Sequence, residues 1–133
     1  MIVLDTHVLL WWQADGSRLA ARAHRAVDTA DTILVSPISF WEVGVLEQKG
    51  RIRLDRDPFV WVQDILASGR LEVAALAPSA AMLAGRLPGQ GFAGDAADAI
   101  IYATAAQAHA PLVTKDQRIR LFAAERRDLR TIW

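Results

Sequence analysis

The sequence predicts an α/β fold built on a mostly parallel sheet of four to five strands, and three observations carry that expectation. Short β-branched and aliphatic runs alternate with longer segments of helical pattern, the signature of strands joined by crossover helices. No stretch rich in Pro, Gly or Ser divides the 133 residues, and no internal repeat is present. At this length folding removes roughly two-thirds of the unfolded chain's surface from water, so one domain spanning 1–133 is expected to hold a core without staples.

Ile2-Val3-Leu4 is the first strand. Helical segments follow at 8–13 and 18–29, with Ser17 placed to cap the second. Thr32-Ile33-Leu34-Val35 is the second strand, ended by Ser36-Pro37, and the next helix runs from Phe40 to Lys49 and stops at Gly50. Pro58 to Ser68 reads as a helix with Pro in its first turn. Leu71 to Ala75 is the third strand, and Pro78 to Leu87 is a short helix that Pro88-Gly89 terminates. Ala96 to Ala108 is Ala-rich and strongly helical. Leu112-Val113-Thr114 forms the fourth strand, Ile119 to Arg126 a short helix, and Leu129 to Trp133 a fifth strand at the sheet edge.

Composition excludes several classes of function. With no Cys there is no disulfide framework, cysteine zinc site or thiol nucleophile. Fifteen basic and fifteen acidic residues balance to zero net charge, which by itself gives no sign of a polyanion-binding protein, and 53% hydrophobic residues argue against disorder. Met1 to Leu4 lack a preceding basic segment and Asp5 interrupts the apolar stretch, so no secretory signal is expected. No window approaches the roughly 18 apolar residues of a membrane span, and a soluble, cytoplasmic protein is the simplest expectation.

The informative pattern is where the carboxylates fall. Asp5 follows strand one, Glu42 lies in the first turn of the helix after strand two, Asp95 and Asp98 open the Ala-rich helix, and Asp116 comes two residues after strand four. Parallel strands present their carboxyl ends at one edge of an open α/β sheet, so these residues can converge there. Each also has a simpler explanation. Asp5, Asp95 and Asp116 are natural N-caps, Ser39-Phe40-Trp41-Glu42 fits a capping box, and Asp98 suits a solvated first turn. Their conjunction argues for more, because two carboxylates about 5 Å apart repel by ~3 kcal/mol at an effective dielectric near 20. A gathered set must therefore bind a cation or protonate. Oxygen ligands without Cys suit Mg²⁺ or Mn²⁺, and such an ion supports phosphodiester hydrolysis by binding a phosphate oxygen and activating water.

Four segments carry a resemblance to a known family: Val3-Leu4-Asp5-Thr6-His7-Val8-Leu9-Leu10-Trp11, Val35-Ser36-Pro37-Ile38-Ser39-Phe40-Trp41-Glu42, Gly94-Asp95-Ala96-Ala97-Asp98-Ala99-Ile100-Ile101-Tyr102-Ala103-Thr104-Ala105, and Leu112-Val113-Thr114-Lys115-Asp116. Together they resemble a PIN-domain ribonuclease, specifically a VapC-type toxin of a bacterial type II toxin–antitoxin pair. The resemblance implies a three-layer α/β/α PIN domain and a Mg²⁺- or Mn²⁺-dependent endoribonuclease. It further implies a homodimer and a VapB-like antitoxin that blocks the acidic site. Carried over by position, it makes Asp5, Glu42, Asp98 and Asp116 the acidic metal site, with Asp95 as an additional aspartate. Asp5 and Asp98 are the expected direct ligands, and Glu42 and Asp116 are expected to hold a second ion, bound water or the geometry. Thr6, Ser39 and Thr114 stand where the family has small hydroxyl residues that support the carboxylates.

Other motifs are set aside or left open. Gly89-Gln90-Gly91-Phe92-Ala93-Gly94 spells G-x-G-x-x-G, but a helix precedes it and Asp95 would repel a pyrophosphate. It is expected to be a flexible loop beside the site, with Gln90 and Phe92 available to RNA. A phosphoaspartate phosphatase would need a second Asp where His7 stands, and neither G-x-S-x-G nor a P-loop occurs. His7, His24 and His109 show no metal spacing and are expected to be structural. Trp11, Trp12, Trp41, Trp61 and Trp133 lie in or beside apolar segments, which suits core or interface anchors. Arg18, Arg22 and Arg25, and the run Lys49, Arg51, Arg53 and Arg56, suit either a solvated surface or phosphate contacts. Two other readings stay open: a non-catalytic protein-binding module whose acids only cap helices, and a PIN nuclease of nucleic-acid processing or repair. If the five acids share one pocket, ten acidic residues face fifteen basic ones over the remainder, a segregation that suits a polyanionic substrate.

Overall fold

In the computed structural model, which describes residues 1–133, the sheet is built outward from β1 (Ile2–Leu4). All three of its residues are buried, as a strand covered by helices on both faces requires. β2 (Ile33–Val35) pairs with it on one side and β4 (Leu112–Val113) on the other; β3 (Leu71–Val73) and β5 (Thr131–Ile132) form the edges. The order is β3-β2-β1-β4-β5 and every pairing is parallel. The chain winds outward from β1 through β2 to β3, then returns to the opposite side of β1 at β4. The connections leaving β1 and β4 diverge there, and such a switch point is where open α/β sheets open a crevice.

Seven helices cover the sheet: α1 (Thr6–Ala14), α2 (Ala21–Thr29), α3 (Pro37–Gln48), α4 (Pro58–Ala67), α5 (Pro78–Arg86), α6 (Ala96–Gln107) and α7 (Gln117–Arg126). Period-two alternation in β1 splits the core. Ile2 and Leu4 pack with Val8, Leu9, Val27, Trp61 and Ile65 on one face, while Val3 packs with Ala84, Ile101, Tyr102 and Phe122 on the other. Two packed helical layers around the sheet make three layers in all. The buried face of α6 is mostly Ala, which keeps the helix close to its neighbours, and Tyr102 is fully buried with its hydroxyl donating to Asp128 at 2.5 Å.

Several element boundaries differ from the sequence expectation: α1 begins at Thr6 rather than Val8, α7 at Gln117 rather than Ile119, β3 ends at Val73 rather than Ala75 and β5 is confined to Thr131–Ile132, and three further differences bear on the site. α3 begins at Pro37 because Ser36 caps it and Pro at the first helical position is already set for the helix. α2 begins at Ala21 rather than Arg18; Ser17 donates its backbone N–H to Asp15 in a turn that ends the first helix, and Gly16 there takes φ +74°. Between α5 and α6 the chain forms a 3₁₀ turn over Leu87–Gln90 and then buries Phe92 edge-on against Tyr102 and Phe122, at 5.5 and 5.2 Å between ring centroids. Phe92 is therefore a core residue and is not available to RNA, and Gln90 accepts a hydrogen bond from Arg126.

Candidate metal centre

Asp5 follows β1 and caps α1. Its Oδ1 accepts the Thr6 backbone N–H at 2.8 Å and its Oδ2 accepts the Thr114 hydroxyl at 2.6 Å, so both oxygens of a carboxylate only 3% exposed are fixed. The same Thr114 oxygen accepts the Asp116 backbone N–H at 3.1 Å. One hydroxyl thus ties the residue after β1 to the segment after β4.

Because α3 starts at Pro37, two residues before Ser39, and is capped by Ser36, neither Ser39 nor Glu42 serves as its cap, and the expected capping box is not formed. Glu42 is turned instead toward α1, where its Oε1 accepts the Thr6 hydroxyl at 2.5 Å. That hydroxyl has one proton to give, and the buried Ser39 hydroxyl 3.0 Å away is its second partner. At α6 a capping box does form: Asp95 Oδ1 accepts the Asp98 N–H at 2.9 Å, and Asp98 Oδ2 accepts the Asp95 N–H at 3.0 Å. The preceding Gly94 permits this closure, since a Cβ there would lie 2.6 Å from the Phe92 ring and 2.7 and 2.9 Å from Asp98 Cβ and Oδ2.

Glu42, Asp95 and Asp98 each offer an oxygen, and the three atoms lie within 4.8 Å of one another. Burial, followed by the charges of Asp95, Asp5 and Glu42, pushes the Asp98 carboxyl up to about 7. Burial also raises Glu42, with Asp95 and Asp5 adding to the effect and the Thr6 hydroxyl opposing it. Repulsion among half-buried carboxylates is the condition a bound cation relieves, and an all-oxygen donor set fits a hard divalent ion. The residues therefore suit the metal that the sequence pattern implies.

Asp116 differs from this group. As the cap of α7 its Oδ1 accepts the N–H groups of Arg118 and Ile119 at 2.8 and 3.3 Å, while Oδ2 accepts Arg118 Nη2 at 2.8 Å. The Arg118 guanidinium holds its carboxyl below the ordinary aspartate range, with the helix amides adding to the effect. His7, expected to be structural, links these parts: its Nε2 accepts the Lys115 backbone N–H at 3.0 Å and its Nδ1 lies 3.4 Å from Asp5 Oδ2. Burial lowers its basicity, in keeping with a neutral ring that accepts at Nε2.

Of the sequence-derived candidates, the structure gathers Glu42, Asp95 and Asp98, sets Asp5 beside them, and places Asp116 on the rim in an ion pair. Thr6 and Thr114 bond to candidate carboxylates directly, and Ser39 through Thr6. Sequence reasoning missed Gly94 and Arg118. The first shows itself only as a close approach in three dimensions, and the signal for the second is its place two residues after a capping aspartate. Trp61 is a core residue, Trp41 is 61% exposed, and Trp11 packs against His7 and Trp133 at 5.0 and 5.9 Å between ring centroids. In the basic run, Arg56 is tied to Asp55 and Asp64.

With this geometry, the profile of the family described as PIN domain matches residues 2–125. The chain belongs to the PIN-domain family. It is 39% identical over 119 residues, 90% of this chain and 89% of the relative, to the protein named Ribonuclease VapC22 of Mycobacterium tuberculosis. Among solved structures this PIN domain resembles VapBC-1 from nontypeable Haemophilus influenzae, with a TM-score of 0.67 and 19% identity, covering 98% of this chain and 96% of that one. It also resembles VapBC2 from Rickettsia felis bound to a promoter DNA fragment, with a TM-score of 0.65 and 17% identity, covering 98% and 97%. At those identities the structural likeness is one of fold. No helix of this PIN domain is long and apolar enough to cross a membrane.

Proposed function

We propose that this chain is a metal-dependent endoribonuclease, the toxin of a VapBC-type toxin–antitoxin pair, with residues 1–133 acting as one PIN domain. The observation that carries the reading is the meeting of Glu42, Asp95 and Asp98 beside Asp5 at the carboxyl edge of the sheet, with Asp98 raised to about 7. The name of the 39% identical relative favours RNA as the substrate. Mg²⁺ or Mn²⁺ is the cofactor that the donor chemistry suits.

Glu42, Asp95 and Asp98 would hold the ion. Bound there, it supplies a Lewis acid for a phosphate oxygen and makes water a stronger nucleophile at neutral pH. The chain does the rest by orientation. Thr6 aims Glu42, the capping box aims Asp98, and the Thr114 hydroxyl fixes the Asp5 carboxylate beside them. Asp116 holds the start of α7 and, through Thr114, keeps β4 in register with Asp5.

A cytoplasmic VapB-like antitoxin partner and a homodimer belong to the same reading. A solved structure of similar fold is a toxin–antitoxin complex from Klebsiella pneumoniae, and Trp41, Phe59 and Met82, which lie 61, 80 and 68% exposed here, are large apolar side chains open to a partner. The deciding experiment is cleavage of a single-stranded RNA by purified protein with Mn²⁺, with chelator, and by Asp98→Asn. Cleavage restricted to the metal-loaded wild type is expected; equal cutting in chelator or by Asp98→Asn would overturn the mechanism.

A further inference from the structure

Besides its carboxylates, the site has one cation built into its rim. Arg118 lies in the first turn of α7 with its side chain 61% exposed, and it spans two elements. Its Nη2 and Nε donate to Asp116, at 2.8 and 3.3 Å, and its Nη1 donates at 3.3 Å to the carbonyl of Ala93, on the segment that leads into Asp95. Like any arginine it carries its charge at every working pH. It is thus anchored between the start of α7 and the segment that leads into Asp95, with much of its side chain in solvent.

An open groove of about 430 Å³ leads away from this point, lined by His7, Trp11, Lys115, Asp116, Gln117 and Arg118. A second cation lies along it, for the Lys115 ammonium sits 5.4 Å from the Trp11 ring centroid and its backbone is pinned by His7. A groove with two cations and an aromatic wall has the elements of a site for single-stranded nucleic acid.

Asp116 has little capacity left for a metal. Its Oδ1 takes two amides and a guanidinium proton, and its Oδ2 takes the other. By contrast, the oxygens that Glu42, Asp95 and Asp98 turn toward one another lie within 4.8 Å, and the three carboxylates accept only from the Thr6 hydroxyl and from backbone N–H groups of the capping box. The acidic cleft thus divides into a part that lacks positive charge and a part already supplied with it.

We propose that Arg118 is a catalytic residue that receives a non-bridging oxygen of the scissile phosphate at the groove mouth, doing the work that a second ion held by Asp116 would do, so that the chain takes up one divalent ion. A planar guanidinium matches phosphate with two parallel donors, and its attachment to Asp116 and Ala93 fixes it before substrate arrives. The phosphate meets Arg118 on one side, Lys115 holds the adjoining phosphate along the groove, and bond cleavage at phosphorus by water remains the reaction. This rests on the metal-dependent ribonuclease reading above.

The test compares wild type, Arg118→Gln and Arg118→Lys. With saturating Mn²⁺, Arg118→Gln is expected to lose roughly 10- to 100-fold in kcat with a smaller change in KM, and Arg118→Lys to recover part of the loss. Calorimetry with Mn²⁺ alone should give one ion per chain for wild type and Arg118→Gln, with affinities within about threefold of each other, as for a group that does not touch the ion. In the Asp98→Asn background, Arg118→Gln should lower the slope of log RNA affinity against log salt by about 0.7, the share of one phosphate contact. The exposed side chain makes an unchanged thermal midpoint the expected folding control.

Wild-type cutting matched by Arg118→Gln, or two ions per chain of which Asp116→Asn loses one, would overturn the assignment of Arg118 alone. A wild type that neither binds Mn²⁺ nor cuts RNA would overturn the ribonuclease reading beneath it.

Discussion

Asp98 and Asp116 both lie at the start of helices on the same edge of the sheet, yet they are driven in opposite directions. Burial, then Asp95, Asp5 and Glu42, pushes Asp98 up to about 7, whereas Arg118 and two helix amides hold Asp116 below the usual range. The two carboxyls share a residue type and a helix-start position. What separates them is first that Asp98 is buried without a basic partner while Asp116 is bonded to a guanidinium, and then that the charges near Asp98 are of its own sign, so a position in a motif does not fix the electrostatic state of the residue that fills it.

The largest effect expected from breaking this contrast is on the Asp98 side. Asp98→Asn keeps the shape and one acceptor but removes the charge, and initial rates on a labelled RNA in Mn²⁺ should fall by roughly 10³-fold or more, as when a group acting in concert with others is lost. Gly94→Ala attacks the same side through space. Its methyl would meet Asp98 and Phe92 at 2.6 to 2.9 Å, so urea unfolding is expected to show a loss of about 1–3 kcal/mol and calorimetry a weakened uptake of Mn²⁺.

A pH titration sharpens the comparison without touching the backbone. With its carboxyl raised from 3.8 to about 7 in the folded chain, Asp98 keeps a proton that the unfolded chain has released between those values. Its contribution to stability is therefore complete below about pH 4 and is lost as pH rises through about 7. Asp116, lowered in the fold, acts with the opposite sign: its stabilisation is present above the ordinary aspartate value and fades in acid. Urea midpoints of metal-free Asp98→Asn should decline less toward pH 7 than those of the wild type, the remainder coming from Glu42, which is also raised, and saturating Mn²⁺ should offset the decline in the wild type. The smallest effect is expected at Asp116→Ala, which loses an N-cap and should cost about 1 kcal/mol in the same assay, with Asp116→Asn close to neutral.

Much of this arrangement was legible in the sequence because strands buried on both faces leave continuous apolar runs, and Ile2-Val3-Leu4 and Ile33-Leu34-Val35 are such runs. The acids stood out because they followed those runs. The start of α3 was misplaced because Ser39-x-x-Glu42 matches a capping box as well as Ser36-Pro37 matches a cap with proline after it, and only packing against α1 decides between them. Phe92 read as a loop aromatic among glycines because its partners, Tyr102 and Phe122, are 10 and 30 residues further along the chain. Arg118 was hidden for a related reason: its second contact, the Ala93 carbonyl, lies 25 residues away.

Asp5, Asp95 and Asp116 are helix caps as well as members of the acidic edge, so capping and site-building were never alternatives here. The consequence concerns how such a protein can decay. A gene copy released from selection for cleavage but still selected to fold cannot lose these side chains freely, because Ala or Leu at any of them would unsettle the start of a helix. Silenced yet folded descendants of this chain are expected to carry Asn, Ser or Thr at 5, 95 and 116, and to drift without that restriction at Glu42, whose carboxylate caps nothing.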